Sequence, residues 1–370
     1  MLPAPKSDGL SLADVLASCL ESLGGHTNRL GLAPAGNAVV LLVDGLGADQ
    51  LKARAGHSRV LAPALSPRAV IEAGFPSTTA SSLASLTTGT LPGVHGLVGY
   101  SVLDPAHDRV VNQLHGWDKQ LDPATWQRVP TLFERAAAQG LDPVVVGAPR
   151  YRDSGFTNAV LRGARFVGAE SIQDRMDAAA AVLRTPGPPK LMYVYVPELD
   201  MALHAHGTES AEWTDTLEQI DAAAKTLVSA LGKRDGMLVT ADHGAVDVAA
   251  HNHVEFDDLM DGVRHAAGEP RAVQLHLEPD AVREVVVGRW RAAEGHRAWI
   301  ATRDEAVSSG WFGDVHPDVL PRIGDIIVAA RKAVAYYHSE WGGRNMVGQH
   351  GSLSPAELRV PLLRFGAFAP

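Results

Sequence analysis

Three short runs of the chain are apolar at nearly every position: residues 38–43 (AVVLLV), 191–196 (LMYVYV) and 237–240 (MLVT). Unbroken apolar runs of this length suit strands that are covered on both faces, as in a parallel sheet. A fourth run, 143–146, follows a helical stretch at 132–139 and Gly140. Between the runs the apolar spacing lengthens to the period of a helix, over 175–183 and 211–231. Strand and helix thus alternate, which predicts an α/β fold with a mostly parallel sheet sandwiched by helices. Near the N-terminus, Ser11 and Asp14 have the spacing of a capping box, an amphipathic helix follows, and Gly24 and Gly25 end it. The texture changes from about Arg264 to Tyr337. AVQLHL, DAVREVVVGRWRAAEG, AWIAT and DIIVAARKAVAYY predict a small α+β unit inserted as a cap. The chain therefore divides into a core of residues 1–262 and 335–370 and a cap of residues 263–334. The final MVGQHGSLSPAELRVPLLRF returns to the main sheet.

Composition narrows the function. With 370 residues, 46% hydrophobic and 20% charged, the chain has the material for a sizeable core and lacks the make-up of a disordered one. Its formal net charge of −9 argues against binding a nucleic-acid polymer, which requires a basic face. An anionic small molecule stays open if bound metal supplies the positive charge. Cys19 stands alone, so no internal disulfide and no cysteine-based zinc module can form. No apolar stretch is long enough for a transmembrane helix, so no membrane insertion is expected. Lys6 is followed by Asp14 and Glu21 inside the would-be apolar region, which is not the pattern of a secretory signal; the expected location is the cytoplasm. Oligomeric state leaves no mark in the sequence.

Ligands of open α/β sheets collect at the carboxyl ends of the strands. The first run ends in Asp44 (VDGLG), the second leads to Asp200, His204 and His206 (PELDMALHAHG), and the third to Asp242 and His243 (ADHG). His350, in GQHGSLS, precedes the final return. A single aspartate at a strand end usually caps the next helix. Three carboxylates and three imidazoles at strand ends are a different matter, because Asp and neutral His are ligands for zinc and related ions. Asp200 and His204 lie one helical turn apart and reach a common point. Gly244 permits the turn that lets the adjacent Asp242 and His243 converge. The set exceeds what one tetrahedral ion uses and suits two divalent ions about 4 Å apart, zinc by preference, with manganese or iron also compatible.

A nucleophile is on offer in GFPSTTASSLASLTTGTLPGVHGLVGY. Residues 80–88 predict a helix stopped by Gly89, so Thr78 or Thr79 stands at its N-terminus. Free N–H groups and the helix dipole there stabilise an alkoxide and a phosphoryl oxygen. The plain alternative is that Ser77, Thr78 or Thr79 is an ordinary N-cap.

Taken together, Asp44, the FPSTT segment, D-x-x-x-H-x-x-G, ADHG and the late HG resemble the alkaline phosphatase superfamily. The closest branch is the type I phosphodiesterase/nucleotide pyrophosphatase family. Its pattern F-P-S-x-T-x-P-N, then T-G, then Y-P-x-x-H-G, is matched in spacing by Phe75–Thr79, Thr88-Gly89 and Leu91–Gly96. The resemblance covers residues 37–255 and 335–370. It implies that Thr79 is the nucleophile, that Asp200, His204 and His350 hold one ion, and that Asp44, Asp242, His243 and the Thr79 oxygen hold the other. The implied activity is hydrolysis of a small phosphodiester or nucleotide-type substrate through a covalent phospho-threonine. Two departures stand out: the family's Pro and Asn are Ser81 and Ser82 here. Ser82, Tyr100 and His206 are the candidate substrate residues. Relatives are often secreted or membrane-anchored, whereas this sequence shows no export signal. A phosphonoacetate-hydrolase-like C–P hydrolase and a phosphomonoesterase of the same superfamily are the alternatives. A non-catalytic scaffold predicts loss of a ligand or of the nucleophile, and every one is retained. His95 is expected to serve a structural hydrogen bond, His251 and His253 to lie on a solvated loop, and Trp117, Trp290, Trp311 and Trp341 to pack, with access from the cap the alternative role for Trp311-Phe312.

Overall fold

The structure, a computed structural model, describes residues 2–4 and 9–370; Lys6, named above, lies outside the described residues. The main sheet is built from β1 (Asn37–Val43), β2 (Asp142–Gly147), β3 (Arg165–Gly168), β4 (Lys190–Val196) and β5 (Asp235–Thr240), all parallel. A second sheet is made by β6 (Val263–Glu269), β7 (Ala272–Leu277), β8 (Ala298–Thr302) and β9 (Ile326–Ala330), and β10 (Leu363–Gly366) closes the main sheet antiparallel to β5. The main order is β10-β5-β1-β4-β2-β3. The mostly parallel α/β sheet expected from the apolar runs is therefore present. The register aligns Val43 with Val196 and Leu42 with Thr240, so the carboxyl ends of β1, β4 and β5 finish level with one another. That alignment brings three separate stretches of sequence to one place.

The helices used below are α1 (Ala13–Leu23), α2 (Thr79–Thr88), α3 (Leu132–Ala138), α4 (Ile172–Arg184), α5 (Glu198–His206), α6 (Ala211–Ala230) and α7 (Arg283–Glu294). Helices α1, α2 and α3 pack together as one group, and α4, α5 and α6 as another. The central strands are buried almost throughout, so the two groups cover opposite faces of the sheet. Among the described residues no helix is long and apolar enough to cross a membrane.

The capping box expected at Ser11 and Asp14 is only half formed. Both Ser11 donors bond to Asp14 Oδ2, at 2.8 Å from N and 3.2 Å from Oγ, so the hydroxyl is committed to Asp14 and α1 starts later, with Leu12 at its N-cap.

Strands β6, β7, β9 and β8, in that order, form an antiparallel sheet with α7 packed beside it around Trp290, Phe256 and Tyr336. Arg271 anchors the turn between β6 and β7. Its guanidinium makes two 2.7 Å bonds to the Glu357 carboxylate, and both side chains are buried. Such a pair is tolerable only when its remaining groups are satisfied. Here Arg271 also donates to the carbonyls of Lys332 and Val334, and Glu357 accepts from Ser352 N–H and the Ser354 hydroxyl. The second sheet is thereby tied to the segment that carries His350. Trp311 packs as expected, and the alternative access role of Trp311-Phe312 is not seen: both are buried against Phe75 at 5.0 and 5.4 Å between ring centroids. Removing three large rings from water outweighs any exposed role for them.

Candidate active site

Asp44 directly follows β1 and Asp242 lies two residues beyond β5, while Asp200 and His204 project from the first turns of α5 after β4. The turn after Asp44 needs glycine. Gly45 has φ +74°, and a Cβ there would stand 3.1 Å from Asp200 Cβ and Oδ1. Gly244 is required for space: a Cβ would come within 2.1 Å of Ala356 O. All six carboxylates and imidazoles singled out in the sequence meet. Their ligand atoms form two overlapping groups, Asp200–His204–His350 and Asp44–Asp200–His243, with atoms within 4.8 Å of one another. The first is the trio that the resemblance implies. In the second, Asp200 stands where Asp242 was expected. The reason is that Asp242 Oδ1 accepts from the N–H groups of Gly45 (3.2 Å) and His243 (3.1 Å). Its Oδ2 remains 3.5 Å from His243 Nε2, at the edge of the same cluster.

The imidazoles share one orientation. Nδ1 of His204 lies 2.8 Å from Gly348 O, Nδ1 of His350 lies 2.8 Å from Ser77 O, and Nδ1 of His243 lies 3.2 Å from Gly244 O. A carbonyl only accepts, so each Nδ1 carries a proton and Nε2 is the atom each ring turns toward the cluster. Against the pull of burial, the Asp200 carboxylate beside it holds His204 in its protonated form, up to about 9, a place a cation can take. These Nε2 atoms face carboxylates: His204 to Asp200 at 3.2 Å, His243 to Asp44 at 3.4 Å, and His350 to Asp200 at 3.9 Å. Asp44 Oδ1, Asp200 Oδ1 and Asp242 Oδ2 are buried without a hydrogen-bond partner. Orphaned carboxylate oxygens are rare in protein interiors, and here three converge on imidazole Nε2 atoms. This donor set fits divalent cations.

The electrostatics agree. Burial pushes Asp44 well above the usual carboxylate range, and the charges of Asp242 and Asp200 push it further. Asp242 is raised by burial as well. Burial also acts to raise Asp200, yet His204, His350 and His243 outweigh it and hold that carboxyl below its ordinary value. A cation among these groups would stabilise every one of the carboxylates in its charged form.

Helix α2 delivers the nucleophile segment. Thr78 occupies its N-cap with extended backbone and makes no capping bond, and Ser77 Oγ is occupied by Ser352 O at 2.7 Å. The N-cap alternative therefore fails as a full account of these hydroxyls. With no side-chain cap, the first-turn N–H groups stay available to an anion. Thr79, the first helical residue, places Oγ1 3.3 Å from His243 Nε2. One turn on, Ser82 Oγ is buried and unpartnered. Tyr100 and His206 are not brought in: neither side chain bonds to a cluster residue, and His206 is exposed at the end of α5. His251 is exposed, and His253 packs on Tyr337.

Two neighbours escaped the sequence reading. Tyr195 donates to Asp44 Oδ2 at 2.5 Å. A pair of tyrosines in an otherwise aliphatic run was the available signal. Glu269, from β6, is buried beside His350, 3.9 Å from its Nδ1. Burial raises its pKa to about 8. Nothing local marks Glu269, because it reaches the site only through the packing of the second sheet against the segment that carries His350.

His95 has the structural role expected. Leu97 N–H donates to its Nδ1 (3.1 Å), so the proton sits on Nε2, 3.0 Å from Ser85 Oγ. Burial, with the nearby Arg322 charge, pushes its pKa down from 6.5 to about 3. Across that window the unfolded chain binds the proton and the folded one does not. Stability contributed by the neutral ring is thus full above pH 6.5 and lost as pH falls toward 3, by about 1.4 kcal/mol per pH unit. His95→Gln is expected to flatten that part of the urea-measured stability profile; an unchanged slope contradicts the assignment.

Fold and site together define the class: an alkaline-phosphatase-like α/β protein with clustered Asp and His ligands at its strand ends. The chain belongs to the type I phosphodiesterase/nucleotide pyrophosphatase family, whose model matches residues 38–353. It is 24% identical over 273 residues to an uncharacterized pyrophosphatase/phosphodiesterase of Schizosaccharomyces pombe, covering 68% of this chain and 54% of that protein. The chain thus spans about half the length of the curated relative it matches. Among solved structures it resembles the phosphonoacetate hydrolase of Sinorhizobium meliloti 1021 in complex with phosphonoacetate (TM-score 0.69, 19% identity, 89% of each chain). It also resembles murine ectonucleotide pyrophosphatase/phosphodiesterase 5 (0.69, 14% identity, 89% of this chain and 88% of that one). An inactive variant of the murine protein in complex with AMP matches with TM-score 0.68 and 15% identity, over 90% of this chain and 88% of that one. At these identities the likeness to the solved structures is one of fold.

Proposed function

We propose that the protein is a metal-dependent hydrolase of small phosphodiesters or nucleotide-type pyrophosphates. The observation that carries this reading is the position of Thr79 Oγ1, at an uncapped helix N-terminus and 3.3 Å from His243 Nε2, within the cluster of orphaned carboxylate oxygens. Asp200, His204 and His350 would hold one divalent ion, and Asp44, Asp242, His243 and Thr79 the other, with zinc favoured by the Asp/His set. Bound there, the ions supply the positive charge that favours a threonine alkoxide and stabilises the oxyanions of phosphoryl transfer. Thr79 loses its proton to solvent and attacks phosphorus in line. The Oγ1–P bond forms as the bond to the leaving oxygen breaks, and that oxygen takes a proton from water. Water then cleaves the phospho-threonine and restores the hydroxyl. The first-turn N–H groups of α2 orient the phosphoryl oxygens. Ser82 Oγ, one turn along, serves as a further donor in place of the family's asparagine. The family membership and the AMP complex of the murine relative support a nucleotide-type substrate.

The test compares bis-p-nitrophenyl phosphate, p-nitrophenyl phosphate and phosphonoacetate, each with zinc-loaded and EDTA-treated protein. The expected result is strong diester cleavage and weak monoester cleavage, both only with metal. Cleavage confined to phosphonoacetate would replace this reading with C–P hydrolysis. Dominant monoester cleavage would replace it with a phosphomonoesterase.

A further inference from the structure

Side chains alternate across a strand, so Tyr193 and Tyr195 of β4 share one face. Their rings stack, with centroids 6.2 Å apart and planes 16° from parallel. Their hydroxyls have different fates. The Tyr193 hydroxyl is buried without a partner. The Tyr195 hydroxyl donates to Asp44 Oδ2 at 2.5 Å, and Tyr151 packs edge-on against its ring at 5.9 Å between centroids. The bond divides the labour of the Asp44 carboxylate. Oδ2 is committed to the phenol, while Oδ1 is buried, free of partners and 3.4 Å from His243 Nε2. A carboxylate held through one oxygen cannot rotate to offer both to the same ion.

We propose that Tyr195 is a positioning residue of the metal centre: its phenol holds Asp44 with a single oxygen inward and sets the affinity of the subsite formed by Asp44, Asp242, His243 and Thr79. The inference rests on the two-ion reading given under Proposed function. Hydrogen-bond partners behind a ligand commonly change metal affinity 10–100-fold, roughly the effect expected here. The structure also provides a matched control. Tyr193→Phe removes a hydroxyl from the same stacked pair without touching Asp44. Both replacements keep the ring, so packing is preserved in each.

The wild type, Tyr195→Phe and Tyr193→Phe are stripped with EDTA and titrated with zinc against a chromophoric chelator. The expected outcome is two ions in the wild type, one of which weakens by about 10–100-fold in Tyr195→Phe and not in Tyr193→Phe. Diester hydrolysis by Tyr195→Phe should fall at limiting zinc and recover with excess. Unchanged affinities in Tyr195→Phe overturn the proposal, as does an equal loss in both variants, which would assign the effect to packing. A wild type that binds one ion overturns the two-ion reading, while the two variants still decide the role of Tyr195 on that ion. A wild type that binds none overturns both.

Discussion

Thr79→Ala is expected to lower diester hydrolysis by roughly three orders of magnitude or more, equivalent to about 4 kcal/mol in the barrier. The loss should fall on kcat, because the hydroxyl forms a bond only during the reaction and adds little to ground-state binding. Zinc content should change far less than rate. Thr79 is one oxygen among several donors, and the carboxylates and imidazoles around it have partners and orientation of their own. Thr79→Ser, which keeps the nucleophile, should retain measurable turnover, and a phosphoryl adduct should be trapped on Ser or Thr at position 79 but not on Ala. Thr78→Ala separates the neighbours. Thr78 stands at the N-cap, and Thr79 is the one whose Oγ1 lies 3.3 Å from His243 Nε2, so the loss of the Thr78 hydroxyl should cost much less. Full hydrolysis by Thr79→Ala with metal retained contradicts the assignment of the nucleophile.

The second large effect is metal removal. EDTA treatment should bring hydrolysis to background, and added zinc or manganese should restore it. Stability should move as well, because the cluster holds two buried aspartates, Asp44 and Asp242, whose repulsion a cation relieves. An ion at a thousand times its dissociation constant stabilises a site by about 4 kcal/mol, which for a chain of this length is a rise of roughly 5 °C in Tm. Asp44→Asn with Asp242→Asn should raise the stability of the stripped protein, since two buried charges disappear, while abolishing the metal-induced rise. Identical melting of stripped and zinc-loaded wild type contradicts the metal reading even if activity is weak for other reasons.

The strands of the main sheet were legible because burial on both faces leaves an unbroken apolar run, a signal that needs no partner to be read. Asp44, Asp200 and Asp242 were legible as candidate ligands because each follows such a run, at the edge where ligands of open sheets bind. Short edge strand β3 left little trace, having only four residues, none of them fully buried. His206 shares its segment with His204, yet two residues along a helix turn a side chain by about 200°, and it ends in solvent. Tyr100 follows the HG motif closely in sequence and still makes no bond to the cluster.

What the sequence by itself determined was chemistry and order: which residue types stand at which strand ends, and that a threonine opens a helix. Local period and capping govern both, so neighbours along the chain suffice to read them. Only the tertiary structure decided which atoms meet. The register of β1 with β4 and β5 made three remote aspartates neighbours, and carbonyls of Ser77, Gly244 and Gly348 turned every Nε2 inward. Packing of the second sheet through Arg271 and Glu357 carried Glu269 to His350. These contacts join residues up to hundreds of positions apart, and their energies depend on distances that no local pattern encodes.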